Sequence, residues 1–135
     1  MIPGFPKWIL VALICIISIA QMIIVQWHLL FYFWWLDIPM HILGGLWIAL
    51  VSLTAYYESK HFAEKDHSPV GVVVVALAVT LTIGIFWEVY EFGIQHAVGE
   101  FGIGLADTLK DLVDDLIGAL CAAWLFVHFG YNGKQ

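Results

Sequence analysis

Residues 107 to 119 read Asp-Thr-Leu-Lys-Asp-Leu-Val-Asp-Asp-Leu-Ile-Gly-Ala. Four acids, Asp107, Asp111, Asp114 and Asp115, stand here, and an apolar run to Phe129 follows directly. Acids this close to hydrocarbon are costly, so they usually face a bundle interior and mark a functional site. At about 100° per residue, Asp107, Asp111 and Asp114 share one helix face, with Asp115 on its flank. Gly118 continues that face one turn deeper, where a neighbouring helix can pack closely. A solvated first turn, favoured by the helix dipole, accounts for one or two acids but less easily for four.

The chain around this stretch is strongly apolar. Of its 135 residues, 62% are hydrophobic and 12% charged, and the mean hydropathy is +0.92. That excludes an ordinary soluble domain, and the length exceeds one span. The expectation is an all-α integral membrane protein, with four transmembrane helices in one small bundle and a single domain over residues 1–135. The net charge is −6 and there is no arginine, so no basic patch exists for nucleic acid. Cys15 and Cys121 both lie in apolar runs, which argues against a disulfide framework or a zinc-thiolate site.

The spans are expected at about 8–27, 38–57, 70–95 and 109–129. The first is long and lacks a cleavage pattern, so it reads as a retained helix rather than a signal peptide. Ser18 and Gln21 are its few polar groups, candidates to face the bundle, and His28 follows as an interfacial handle. Trp27 to Trp35 is dense in aromatics and reads as an interfacial belt. Asp37 is the expected N-cap of the second span, with Pro39 in its first turn. Asp37 and His41 are i,i+4, and Gly44, Gly45 and Ser52 follow on that side. The polar loop from Glu58 to Ser68 holds His61 and His67, both expected to be solvated. The third span carries Glu88 and Glu91 at i,i+3, with Gly84 and Gln95 on their face. Gly99, Gly102 and Gly104 belong to a short connection into the fourth.

Alternating spans bring the start of the second, the end of the third and the start of the fourth to one membrane face. Those ends carry Asp37 and His41, Glu88 and Glu91, and the four aspartates. Lys7, Lys60, Lys65 and Lys134 fall at the opposite face, which places both termini and the central loop in the cytoplasm. The protein is thus expected to be multi-pass in the inner (plasma) membrane, with its acidic site outside.

Carboxylates this crowded in a low dielectric need protons or a cation among them. Lys110 alone is too little compensation and is expected to reach for water. Oxygen donors with one imidazole suit a divalent metal such as Mg, Mn, Zn or Fe. The expected ligands are His41, Glu88, Asp107 and Asp111, with Glu91 or Asp37 as base or supporting group.

At these residues the chain resembles the YjdF-type bacterial inner-membrane proteins, and more loosely the VanZ-like family. Asp37, His41 and Gly45 match the first YjdF-type block, and Glu88 and Glu91 match the second. Asp107, Thr108, Asp111, Gly118 and Ala119 match the last. Asp115 stands where VanZ-like proteins often carry Asn. The resemblance implies a membrane protein of poorly defined activity, and VanZ-like members are linked to teicoplanin resistance.

Together these features lead to the expectation of an outward-facing metal site in a hydrolase or transferase. Its partners would be membrane lipids and a lipid-linked or cell-envelope substrate. The same acids also suit a proton or cation relay, or a non-enzymatic envelope accessory protein.

Overall fold

A computed structural model describes residues 4–59, 65–98 and 104–133. Every regular element among them is helical: α1 (Lys7–Gln26), α2 (Leu29–Tyr32), a 3-10 turn (Trp34–Leu36), α3 (Asp37–Glu58), α4 (Pro69–Val98) and α5 (Leu105–His128). Lys60, His61, Gly99, Gly102 and Lys134 lie outside the described residues.

Local chemistry sets the ends of these helices. Pro6 precedes α1 and Pro69 opens α4, positions where the missing N–H is harmless. The Ser68 hydroxyl accepts the Gly71 N–H at 3.0 Å, a side-chain cap on the first turn of α4. α1 stops at Trp27, and His28 takes a left-handed φ of 50° that turns the chain into α2. At its far end α5 closes in a Schellman motif around Gly130, whose φ is 70°. The Tyr131 N–H reaches Phe126 O at 3.0 Å and the Gly130 N–H reaches Val127 O at 3.1 Å. The rings of Phe126 and Tyr131 pack 5.6 Å apart, the apolar contact that accompanies this motif.

α3 and α5 form the centre of the bundle, α4 packs against both, and α1 rests chiefly on α3. The two central helices approach closely because both carry glycine at the crossing. A Cβ on Gly45 would collide with the backbone of Asp115, and one on Gly118 with the backbone of Ile42 and Leu46. The core beyond that crossing is small and apolar: Ala49, Leu53, Val72, Ala76, Ala119, Ala122, Ala123 and Phe126.

Among the described residues, three helices are long and apolar enough to cross a membrane: Lys7–Gln26, Trp34–Glu58 and Pro69–Ala97. Four were expected, and composition supports three. The fourth expected span falls in α5, whose first half carries Asp107, Lys110, Asp111, Asp114 and Asp115, too many charges for an apolar span by composition.

Exposure adds to the description of α5. Asp111, Asp114 and Asp115 are buried. Leu109, Val113, Ile117, Leu120 and Trp124 are exposed. This is the reverse of a helix at a water-facing surface, where the apolar stripe turns inward. α5 also runs the length of the bundle. Its start meets Asp37, and the Asn132 side chain just past its end donates to His67 O, between α3 and α4, at 2.8 Å. His67 also contacts the Asn132 carbonyl through Nδ1, so it is held by the fold rather than solvated. Ser18 is exposed on α1 and does not face the bundle.

Candidate functional site

Asp37, His41 and Asp111 each offer a donor atom, and the three atoms lie within 4.8 Å of one another. α3 supplies the first two from successive turns of one face, and α5 supplies the third across the glycine crossing. Asp37 is expected as the N-cap, but Leu36 takes that position and Asp37 is the first helical residue of α3. It turns sideways instead, with Oδ1 3.6 Å from His41 Nε2 and Oδ2 3.0 Å from Lys110 Nζ.

The imidazole is the hub. Its Nδ1 lies 3.3 Å from Asp115 Oδ1, a hydrogen bond between α3 and α5. Its Nε2 faces Asp37 Oδ1 at 3.6 Å and Asp111 Oδ2 at 3.8 Å. The first separation is a hydrogen bond and the other two are too long for one. Two carboxylates therefore gather at Nε2 without bonding to it, while the other ring nitrogen is held by a third.

Lys110 departs from expectation. Rather than reaching for water, its ammonium folds back onto Asp37, Asp111 and Asp114. Asp111 and Asp114 are buried and Asp37 is half-buried, and an ammonium placed among them gains three close partners. Four carboxyl groups still face one ammonium and one imidazole.

The other expected site residues are spread around this group. Asp107 is exposed, one turn before Asp111, and does not join the donor atoms. Glu88 is 6% exposed and neither carboxyl oxygen has a hydrogen-bond partner; it too lies outside the three-residue group. A buried carboxyl without a partner is costly, so Glu88 marks a place short of a polar group. Glu91 lines a cavity beside the cluster. Of the polar groups that could extend a path to the other face, Ser52 and Thr82 bond back to their own helix at Ile48 O and Ala78 O. Thr80 is fully buried and its hydroxyl has no partner, as has that of Thr54.

The cavity, of about 280 Å³, lies between α1, α3 and α4. Its walls are largely apolar, and Asp37, His41, Glu91 and Asp115 form its polar side. Gln21 of α1 also lines it, as does Gly44, where a Cβ would meet nothing within 4 Å.

Two features escaped the sequence reading. Asp115 is a central partner of His41, not a flanking acid. The row Asp111, Asp115, Gly118, Ala122, spaced like the seam of a packed helix pair, carried that signal. The inward Lys110 had a partial local signal in its i,i+4 spacing to Asp114, but its partner on α3, Asp37, is set by tertiary packing.

A family model described as "Predicted membrane protein (DUF2238)" matches residues 2–131. No curated protein and no solved structure matches the chain.

Proposed function

From the premise that the chain belongs to the DUF2238 family of predicted membrane proteins, we propose that Asp37, His41 and Asp111 form a divalent-cation site inside a membrane bundle. The observation that carries this is the histidine. A metal-binding imidazole usually gives its second N–H to a carboxylate, which fixes its tautomer and orientation. Here Asp115 takes Nδ1, and Nε2 is left facing two carboxylates at 3.6 and 3.8 Å. Those spacings suit donors that share an ion at about 2 Å from each. An oxygen-rich set with one imidazole selects Mg, Mn, Zn or Fe over sulfur-loving metals.

In this reading α5 is the fourth span. Its exposed apolar stripe would face lipid and its buried acids the bundle, and its 24 residues are close in length to the 22 of α3. The lysine bias puts the termini and central loop in the cytoplasm of the inner membrane, and the cluster at the outer side. The YjdF-type resemblance fits, since its Asp37–His41–Gly45 and Asp111–Gly118 blocks lie on the two helices that meet. The VanZ-like resemblance and its link to antibiotic resistance gain no support and are not carried forward.

The site would serve a hydrolase or transferase acting on a lipid-linked or envelope substrate. A bound ion would polarise a phosphoryl or carbonyl oxygen and activate a water. Asp115 holds the imidazole in place. Lys110 counters the charge of Asp37, Asp111 and Asp114 until a cation competes for them. Glu91, on the cavity wall and outside the donor group, is placed to take a proton as general base. A second reading, a proton or cation relay, draws on Glu88, Thr80 and Thr54, whose buried oxygens lack partners.

The test is a thermal melt of detergent-purified protein with chelator and with each of several divalent ions. An ion at 100 times its Kd stabilises by about 2.7 kcal/mol. Asp111→Asn should lose most of that gain. Asp66→Asn should keep it, because Asp66 lies at the other end and Asn can still accept the Ser68 N–H. If no ion raises the wild-type melt and none copurifies, the relay reading replaces the cation site.

A further inference from the structure

The cavity beside the cluster has two sides of opposite chemistry. Ile17 and Ile24 of α1, Ile48 and Trp47 of α3, and Ile83 and Trp87 of α4 make its walls apolar. Asp37, Glu91 and Asp115 supply acids on its polar side, with His41 among them. Lys110 does not line it. Glu91 makes no hydrogen bond or ion pair with any described residue.

α1 packs on α3 and α2 and makes at most marginal contact with α4. Both α1 and α4 line the cavity and both are apolar enough to span a membrane, so the weak seam between them is the apolar side from which a hydrocarbon chain would enter. At about 280 Å³ the cavity is at the small end of ligand sites, roughly 300–1,000 Å³. It suits one hydrocarbon chain rather than two.

We propose that this cavity binds a single-chain amphiphile with a positively charged amine head, its tail between α1 and α4 and its amine against Glu91, Asp37 and Asp115. Charge complementarity chooses the head. Asp37 is already paired with Lys110 and Asp115 with His41, so Glu91 is the acceptor that an incoming head would use first. An anionic head would meet three carboxyl groups and no lysine or arginine on the cavity wall, whereas an ammonium on Glu91 gains a charge-assisted hydrogen bond, about twice as strong as a neutral one. The apolar walls supply affinity in proportion to the chain surface they cover. This inference needs no divalent ion and goes beyond the cation site.

The experiment uses full-length protein in a non-ionic maltoside detergent, with chelator present throughout. Dodecylamine, butylamine and dodecanoate are titrated at neutral pH, and the melting temperature is followed. Dodecylamine should raise it by several degrees, and butylamine and dodecanoate should not. Gly44→Leu should abolish the shift, because its side chain enters open space on the cavity wall. Ile83→Trp, filling the cavity from α4, provides the same block if Gly44→Leu does not fold. Glu91→Gln should weaken the apparent affinity for dodecylamine at least fivefold. A shift from dodecanoate as large as that from dodecylamine would overturn the amine head. A dodecylamine shift that survives both cavity-filling variants, or no shift from any probe, would overturn the site. Gly44→Leu leaves the donors Asp37, His41 and Asp111 in place, so its melt with a divalent ion and no chelator shows independently whether the cation site stands.

Discussion

Adjacent glycines on α3 do opposite work. Gly45 lets α5 approach, and a Cβ there would strike the Asp115 backbone, whereas one on Gly44 would meet nothing within 4 Å. Ala in place of Gly in a helix gains about 1 kcal/mol of propensity, and overpacking a tight contact costs roughly 1–3 kcal/mol. Gly44→Ala should therefore raise the melting temperature, while Gly45→Ala and Gly118→Ala should lower it. Equal effects at positions 44 and 45 would show that α3 and α5 do not cross there. Lys110 offers a second residue-scale test. Its side chain is 32% exposed, so losing its contacts lies between the cost of an exposed pair, about 0–1 kcal/mol, and that of a broken buried pair, about 3–5 kcal/mol. Lys110→Met should be less stable than wild type in chelator, yet gain more from a divalent ion, because the competing ammonium is gone. If the ion adds nothing to the variant, the ammonium is the resident cation of the cluster.

At the scale of the element, α5 decides whether the bundle has three or four spans. Its Asp111, Asp114 and Asp115 are buried and its Leu120 and Val113 are about half exposed, at 47% and 55%. An exposed surface position in water tolerates substitution within about 0.5 kcal/mol. At the centre of a membrane helix, a lysine costs about 2.5–3.5 kcal/mol. Leu120→Lys should thus lower both the yield in the membrane fraction and the melting temperature. Yield and stability like those of wild type would take α5 out of the hydrocarbon. α1 differs from the other long helices in how little of it is buried: Ile24 is its one buried residue. It leans on one helix and leaves the gap that makes the cavity.

For the molecule as a whole, the number of spans fixes which ends share a side. The test is labelling of single cysteines, placed at Ser59, Gly104 or Gln135, in a background with Cys15 and Cys121 replaced by alanine. A Cβ at Gly104 meets nothing within 4 Å, so that site tolerates the change. With four spans and cytoplasmic termini, an impermeant thiol reagent on intact cells should label only the cysteine at position 104. If position 135 labels together with 104, α5 does not cross. If positions 59 and 135 label and 104 does not, the cluster faces the cytoplasm.

The sequence by itself determined that the chain is helical and apolar, roughly where its four long helices lie, and which residues could gather. Alternation of helix direction brought Asp37, His41 and Asp111 to one end, and a 3.6-residue period put the acids of α5 on its inner side. Periodicity fixes a face only to within about one residue, and it says nothing of how deeply two helices approach. The tertiary structure decided both. Gly45 and Gly118 let α3 and α5 cross at backbone contact, and that crossing set the rotation of α5 so that Asp115, not Asp107, meets His41. The same proximity added Asp37 of α3 to the two carboxylates, Asp111 and Asp114, that Lys110 has on its own helix. It also left Glu88 buried apart from the donors that gather at His41. The cavity is the least legible feature of all, since it exists only because α1 packs on α3 without closing against α4.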